Sequence, residues 1–67
     1  MTQIQYERLL SNLAKALHTQ RRYVVLVRSV TLENGDIAHS VNLRGCYYCV
    51  TLRGDKIIEV AREVKAV

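Results

Sequence analysis

The chain has 67 residues, of which 49% are apolar, with no proline and three glycines. This length and composition indicate one small ordered domain over residues 1–67, and they exclude a disordered tail or a disulfide scaffold, since there are only two cysteines. Ten Lys and Arg residues against six Asp and Glu residues give a net charge of +4, which favours nucleic acid or an acidic protein surface as partner, although such a charge also serves solubility alone.

The N-terminus and the apolar runs favour a cytoplasmic location. Glu7 and Arg8 stand where a signal peptide needs an uninterrupted apolar run. The longest apolar run, residues 23–27, is too short to span a bilayer. We therefore expect a cytoplasmic protein that does not associate with membranes.

The first predicted element is a helix over residues 3–19. Thr2 and Gln5 fit a capping box, in which each side chain binds the other residue's backbone N–H. His18 lies near the predicted C-terminal end, where positive charge is favourable. Apolar residues recur with helical period on one side: Tyr6, Leu9, Leu10, Leu13, Ala14, Ala16 and Leu17.

A three-stranded antiparallel meander is predicted to follow. Residues 23–32 are dense in β-branched side chains, which is typical of a strand. Asn34-Gly35 and Arg44-Gly45 predict two-residue turns on either side of the second strand. Both turns place the same set of side chains on a common inner face: Leu26, Val30, Leu32, Ile37, Val41, Leu43, Cys46, Tyr48, Val50 and Leu52.

Both cysteines, Cys46 and Cys49, fall in the predicted third strand. Residues three positions apart in a strand point to opposite faces, so the two thiols can neither bridge each other nor hold one ion. The two histidines, His18 and His39, stand at no recognisable ligand spacing. We therefore expect Cys46 in the core, Cys49 on the other face, and neither a metal site nor a cofactor.

Two polar residues, Arg28 and His39, interrupt the predicted inner face. One interpretation is a shared polar site, in which His39 acts as an acid–base group or contacts an anion. The other, which we prefer, is a β-bulge near Arg28 and Ser29 that turns the arginine outward and leaves His39 at the margin of the core.

The last segment fits two predictions. A helix capped by Asp55 gathers the apolar residues on one arc, whereas a fourth strand after a Gly54-Asp55 turn would also turn Glu59 inward. We prefer the helix, so the predicted fold is α+β: an N-terminal helix, a three-stranded antiparallel meander and a C-terminal helix. The alternative takes residues 56–66 as a fourth strand and gives a small Sm-like or SH3-like barrel.

The predicted order of elements resembles that of the double-stranded-RNA-binding domain. In that family, lysines that open the second helix contact RNA, whereas residues 55–59 carry one lysine beside two acids here. Residues 52–60, LRGDKIIEV, resemble the closing motif of Sm-like RNA-binding proteins, which implies a five-stranded barrel. The two resemblances imply different folds, and the chain is assigned to neither family.

A basic edge is predicted where the first strand begins. At this edge, Arg21 and Arg22 are expected to lie close to the turn that contains Arg44. Tyr23 and Tyr47 are expected nearby. Guanidinium groups beside tyrosines are typical of phosphate contact with base stacking, whereas the other interpretation is scattered, solvated charge. We predict a small non-enzymatic module that contacts nucleic acid through this edge.

Two other functions stay open. No nucleophile with a base, no pair of carboxylates and no phosphate loop stands out, so an enzyme is not expected. A protein-interaction module, such as a phage or mobile-element inhibitor of a larger host complex, would dock through the solvated sheet face or the basic edge. A homo-oligomeric structural protein would bury Val25, Val27, Tyr47 and Cys49 between subunits, and we expect a homodimer.

Overall fold

A computed structural model of the chain describes residues 2–63. The strands form one antiparallel sheet in the order β1-β2-β3-β4, and helix α1 covers one face of it. The α+β class is thereby confirmed. The elements are α1 (Gln3–Ala16), a 3₁₀ turn (Arg21–Tyr23), β1 (Val24–Thr31), β2 (Ile37–Leu43), β3 (Cys46–Arg53) and β4 (Lys56–Glu63).

The predicted C-terminal helix is wrong over the described residues, because residues 56–63 form β4. Ile57 lies opposite Leu52 and Glu59 lies opposite Thr51, so Ile58 is an extra residue in the pairing. This β-bulge changes the phase of the strand. Ile57 packs against the core while Glu59 faces away from the helix, which removes the objection to a strand.

The predicted three-stranded meander is therefore a four-stranded sheet, as the alternative fold required. Within residues 2–63 the sheet is open, with β1 and β4 as its edges, and does not close into a barrel. Residues 64–66 of the predicted helix lie outside the described residues.

Helix α1 begins as predicted and ends earlier. The Thr2 hydroxyl accepts from the Gln5 backbone N–H at 3.2 Å, and the Gln5 side-chain oxygen Oε1 accepts from the Thr2 backbone N–H at 2.9 Å, which confirms the capping box. The helix ends at Ala16, not at residue 19. His18 has a φ of 53°, and its N–H donates to the Lys15 carbonyl in a Schellman-type end. This reversal directs the chain into the 3₁₀ turn and β1.

The register between β2 and β3 is confirmed. Leu43 lies opposite Cys46, and both turn residues have positive φ, 51° at Arg44 and 85° at Gly45. These angles are those of the type I′ turn, which matches the twist of a hairpin. Cys46 and Cys49 consequently point to opposite faces, as predicted, although Cys46 is half-buried and not part of the buried core.

The register between β1 and β2 differs from the prediction, because the first loop has three residues instead of two. The Gly35 N–H donates to the Leu32 carbonyl at 3.0 Å, and the Leu32 N–H donates to the Asp36 carbonyl at 2.7 Å. Thr31, not Leu32, is therefore the neighbour of Ile37. A type I turn followed by a left-handed glycine is a common three-residue hairpin loop.

A β-bulge at Val27 then restores the apolar phase of β1. Leu26 lies opposite Val41 and Arg28 lies opposite Ser40, so Val27 has no partner residue. The expected bulge is confirmed one residue before Arg28, and it turns that arginine onto the uncovered face. Val30 lies on the same face, so its predicted place in the core is wrong.

The buried core lies between α1 and the covered face of the sheet. Leu13, Val41 and Val50 are fully buried, and half-buried apolar residues surround them. Truncating a buried leucine such as Leu13 to alanine costs about 2–5 kcal/mol in most proteins. The six buried apolar residues are Leu13, Ala14, Val24, Val41, Val50 and Leu52.

A buried carboxylate ties the first hairpin to the end of β3. Asp36 is 3% exposed. It accepts from Arg53 Nε at 2.8 Å and Nη2 at 3.2 Å, and from Asn34 Nδ2 at 3.1 Å. The Arg53 hydrogen bonds hold the pKa of the Asp36 carboxyl below its ordinary value, against the opposing effect of burial. Two hairpins are thus held together by one side-chain pair.

We predict that this pair makes folding stability depend on pH in the acid range. Because the pKa of Asp36 is lower when folded, its contribution is present at neutral pH and is lost as pH falls from about 4 through the folded value. Urea midpoints measured from neutral pH downward should fall in the wild type and less in Asp36→Asn. The exposed Asp55→Asn is the control and should leave the wild-type profile in place.

Candidate functional site

Two guanidinium groups lie over one tyrosine ring at the start of β1. Arg44 Cζ lies 4.1 Å from the centroid of the Tyr23 ring, and Arg22 Cζ lies 4.9 Å from it. Arg22 Nη2 also donates to the Tyr23 hydroxyl at 3.1 Å. Three of the five residues predicted for the basic edge are therefore in direct contact.

The strand register explains why Tyr23 and Arg44 meet. Val24 lies opposite Leu43, so the residues just outside this pair, Tyr23 and Arg44, approach each other across the hairpin. The left-handed backbone of Arg44 costs roughly 1–2 kcal/mol for a residue with a Cβ atom. A cation–π contact at an exposed site contributes about 0.5–1 kcal/mol, which offsets part of that cost.

The other two predicted residues lie differently. Arg21 is exposed in the 3₁₀ turn beside Arg22. Tyr47 lies on the uncovered face of β3, opposite Asn42 on β2 and Glu63 on β4, and makes no cation–π contact within residues 2–63. Arg21 therefore extends the cluster, whereas Tyr47 is separated from β1 by β2.

A further arginine, Arg62, reaches the same end of the sheet. It lies opposite Tyr48, and its Nη2 approaches Cys46 Sγ at 3.7 Å. Sequence reasoning missed Arg62 because it took the last segment as a helix. Only a fourth strand antiparallel to β3 places Arg62 at this end of the sheet. We call the exposed residues Arg21, Arg22, Arg44 and Arg62 the basic end.

Charge is distributed unequally between the two ends of the sheet. Three acidic residues, Glu33, Asp36 and Asp55, lie in or beside the turns at the opposite end, whereas Glu63 accompanies the basic end. Among residues 2–63 the only ion pair joins Arg53 to Asp36. The four guanidinium groups of the basic end therefore have no carboxylate partner in the described part of the chain.

The residues predicted for a subunit interface do not form one compact patch. Val25 and Val27 are 60% and 56% exposed at the edge strand. Cys49 is half-buried on β3, opposite Ser40 and Ala61. Burial, together with the negative charges of Glu63 and Glu59, raises the pKa of the Cys49 thiol, which makes it a poor nucleophile at neutral pH.

His39 lies under the helix and pairs with a residue that the predicted register had placed elsewhere. The residue is 4% exposed, and its Nδ1 lies 2.7 Å from Ser29 Oγ on β1. Burial lowers the pKa of His39, so the ring is neutral at neutral pH. The alternative interpretation, a polar site shared by Arg28 and His39, is not formed, since Arg28 faces away from the helix.

The described part of the chain has neither a metal centre nor a spanning helix. Residues 2–63 bring together no group of three His, Cys, Asp or Glu side chains that could hold a metal ion. No helix in that range has the length and apolar character needed to cross a membrane. No family model, curated protein or solved structure matches this chain.

We predict that His39 makes stability fall below pH 6.5. Because the pKa of His39 is lower in the folded state, the unfolded chain binds the proton first, and stability is lost as pH falls from the unfolded value through the folded one. His39→Gln should flatten the unfolding profile between about pH 7.5 and 5.5. The exposed His18→Gln should keep the wild-type slope, and an equal flattening there would contradict the assignment.

Proposed function

We propose that this protein is a small non-enzymatic module that binds nucleic acid through the basic end. The observation that carries the proposal is the pair of guanidinium groups on Tyr23, which have no carboxylate partner within residues 2–63. Arg22 uses one N–H on the Tyr23 hydroxyl, and a guanidinium has five N–H donors, so both groups keep further donors for a ligand. Those donors match phosphate oxygens.

The arrangement of charge supports the same function. The basic end gathers four arginines, and most of the described acidic residues lie elsewhere. Phosphate contacts supply most of the affinity in non-specific nucleic-acid binding, and they orient the protein without reading sequence. The net charge of +4 adds long-range attraction to a polyanion.

The test is fluorescence anisotropy with labelled single-stranded RNA and DNA, between about 50 and 200 mM salt. Wild-type affinity should fall steeply with salt. The double variant Arg22→Gln/Arg44→Asn should bind about tenfold more weakly or worse, with a salt slope reduced by about two, since each phosphate contact contributes about one. Asparagine is chosen at position 44 because it tolerates the left-handed backbone.

The matched control is Arg28→Gln/Lys56→Gln, which removes the same net charge away from the basic end. Its affinity should fall far less than that of the Arg22/Arg44 variant. Equal losses in the two variants would show a response to net charge alone and would contradict a localised site. Salt-insensitive or undetectable wild-type binding would contradict the function itself.

A homodimer is the second candidate, and the exposed apolar side chains of β1 favour it. Val25, Val27 and Val30 are between 45% and 60% exposed on edge strand β1, which is more than the 40% and 42% of Ile58 and Val60 on the other edge strand, β4. Unprotected apolar edge strands are sites at which sheets pair. A second copy that pairs along β1 would cover this edge.

We predict that the wild type has twice the monomer mass of 7.7 kDa in light scattering at micromolar concentration. Val27→Glu should give a monomer, because two buried carboxylates would face each other or lose hydration at the interface. Ile4→Glu, at an exposed position of α1, is the control and should leave the dimer intact. A wild type that stays monomeric at high concentration would exclude the dimer.

A further inference from the structure

A groove opens at the end of the domain opposite to the basic end. It has a volume of about 420 Å³ and lies between the N-terminal half of α1 and the ends of β2 and β3. The helix packs tightly at Leu13, whereas its N-terminal half is more exposed and leaves this space. Leu9, Ile37 and Leu52 supply apolar surface to the groove. A cavity of this size accommodates a small molecule.

Opposite charges line the same groove without neutralising each other. Arg8 on α1 and Asp55 in the β3–β4 turn both line it, and they form no ion pair. Asn12 Nδ2 donates to Asp55 Oδ1 at 2.9 Å, which orients that carboxylate and leaves its other oxygen available. The neutral ring of His39 adds a polar wall without charge.

We propose that this groove binds a small apolar α-amino acid. Arg8 would contact the ligand carboxylate, Asp55 would contact the ammonium group, and the apolar residues would hold the side chain. A simple apolar anion is disfavoured by Asp55, and a simple apolar cation is disfavoured by Arg8. A zwitterion satisfies both groups. This site is separate from the basic end and does not depend on nucleic-acid binding.

The test compares three ligands that share one phenylethyl skeleton and differ in which charged groups they carry: L-phenylalanine has both, 3-phenylpropionate only the carboxylate and 2-phenylethylamine only the ammonium group. Each is titrated into uniformly ¹⁵N-labelled full-length protein, and amide shifts are followed by NMR. L-phenylalanine should shift the amides around the groove with a dissociation constant in the millimolar range or below. The other two ligands should bind about tenfold more weakly, because each leaves one charged group unpaired.

Two variants assign the charged contacts. Arg8→Gln should weaken L-phenylalanine binding about tenfold and remove its advantage over 2-phenylethylamine. Asp55→Asn, which keeps an oxygen acceptor for Asn12, should remove the advantage over 3-phenylpropionate. Lys15→Gln removes a cation from the same helix outside the groove and should bind as the wild type does, and thermal melts confirm that all variants are folded.

Three results would overturn the proposal. The first is that L-phenylalanine shifts no amide around the groove. The second is that either singly charged ligand binds as tightly as L-phenylalanine does. The third is that the amide shifts are confined to another surface. The Arg22→Gln/Arg44→Asn variant should lose nucleic-acid binding and still bind L-phenylalanine as the wild type does. The two proposals can therefore be rejected independently.

Discussion

One helix covers one face of a four-stranded sheet, and every strand must present its apolar side chains to that face in phase. Strict alternation meets this requirement in β2 and β3 but fails in the two edge strands. An extra residue in each, Val27 and Ile58, changes the phase within the strand. The bulges let the edge strands contribute apolar side chains to the core. They also determine which side chains of these strands lie on the uncovered face.

The bulge in β1 also decides which polar groups become buried. On the C-terminal side of the bulge, Ser29 lies opposite His39, and the contact between Ser29 Oγ and His39 Nδ1 gives the largely buried ring a hydrogen-bond partner. Arg28 is turned to the uncovered face, where its charge is solvated. A buried histidine with a partner and an exposed arginine cost far less free energy than the reverse arrangement. The phase change therefore serves the polar residues as well as the apolar ones.

The meander also separates two surfaces of different chemistry. At one end the type I′ turn at Arg44 and the start of β1 bring guanidinium groups onto a tyrosine ring. At the other end, Arg53 is paired with Asp36. The groove beside this pair has apolar walls and is lined by charged residues of both signs. Polyanion contact suits the first surface and small zwitterions suit the second.

The sequence by itself determined the features that depend on close neighbours along the chain. The capping box of Thr2, the turn at Arg44 and the opposite directions of the two cysteines each follow from residues within a few positions of one another. The clustering of Arg22 and Arg44 follows from one hairpin register. A large part of the candidate basic end was therefore predictable.

Tertiary structure decided the rest. Whether residues 56–63 form a helix or a strand depended on the open edge of β3, because their apolar spacing fits a helix and also a bulged strand. The place of Arg62, the pairing of Ser29 with His39 and the groove beside Arg8 all depend on that fourth strand or on a bulge. A bulge adds one residue without altering local composition, so only the packing of distant strands under the helix reveals its position.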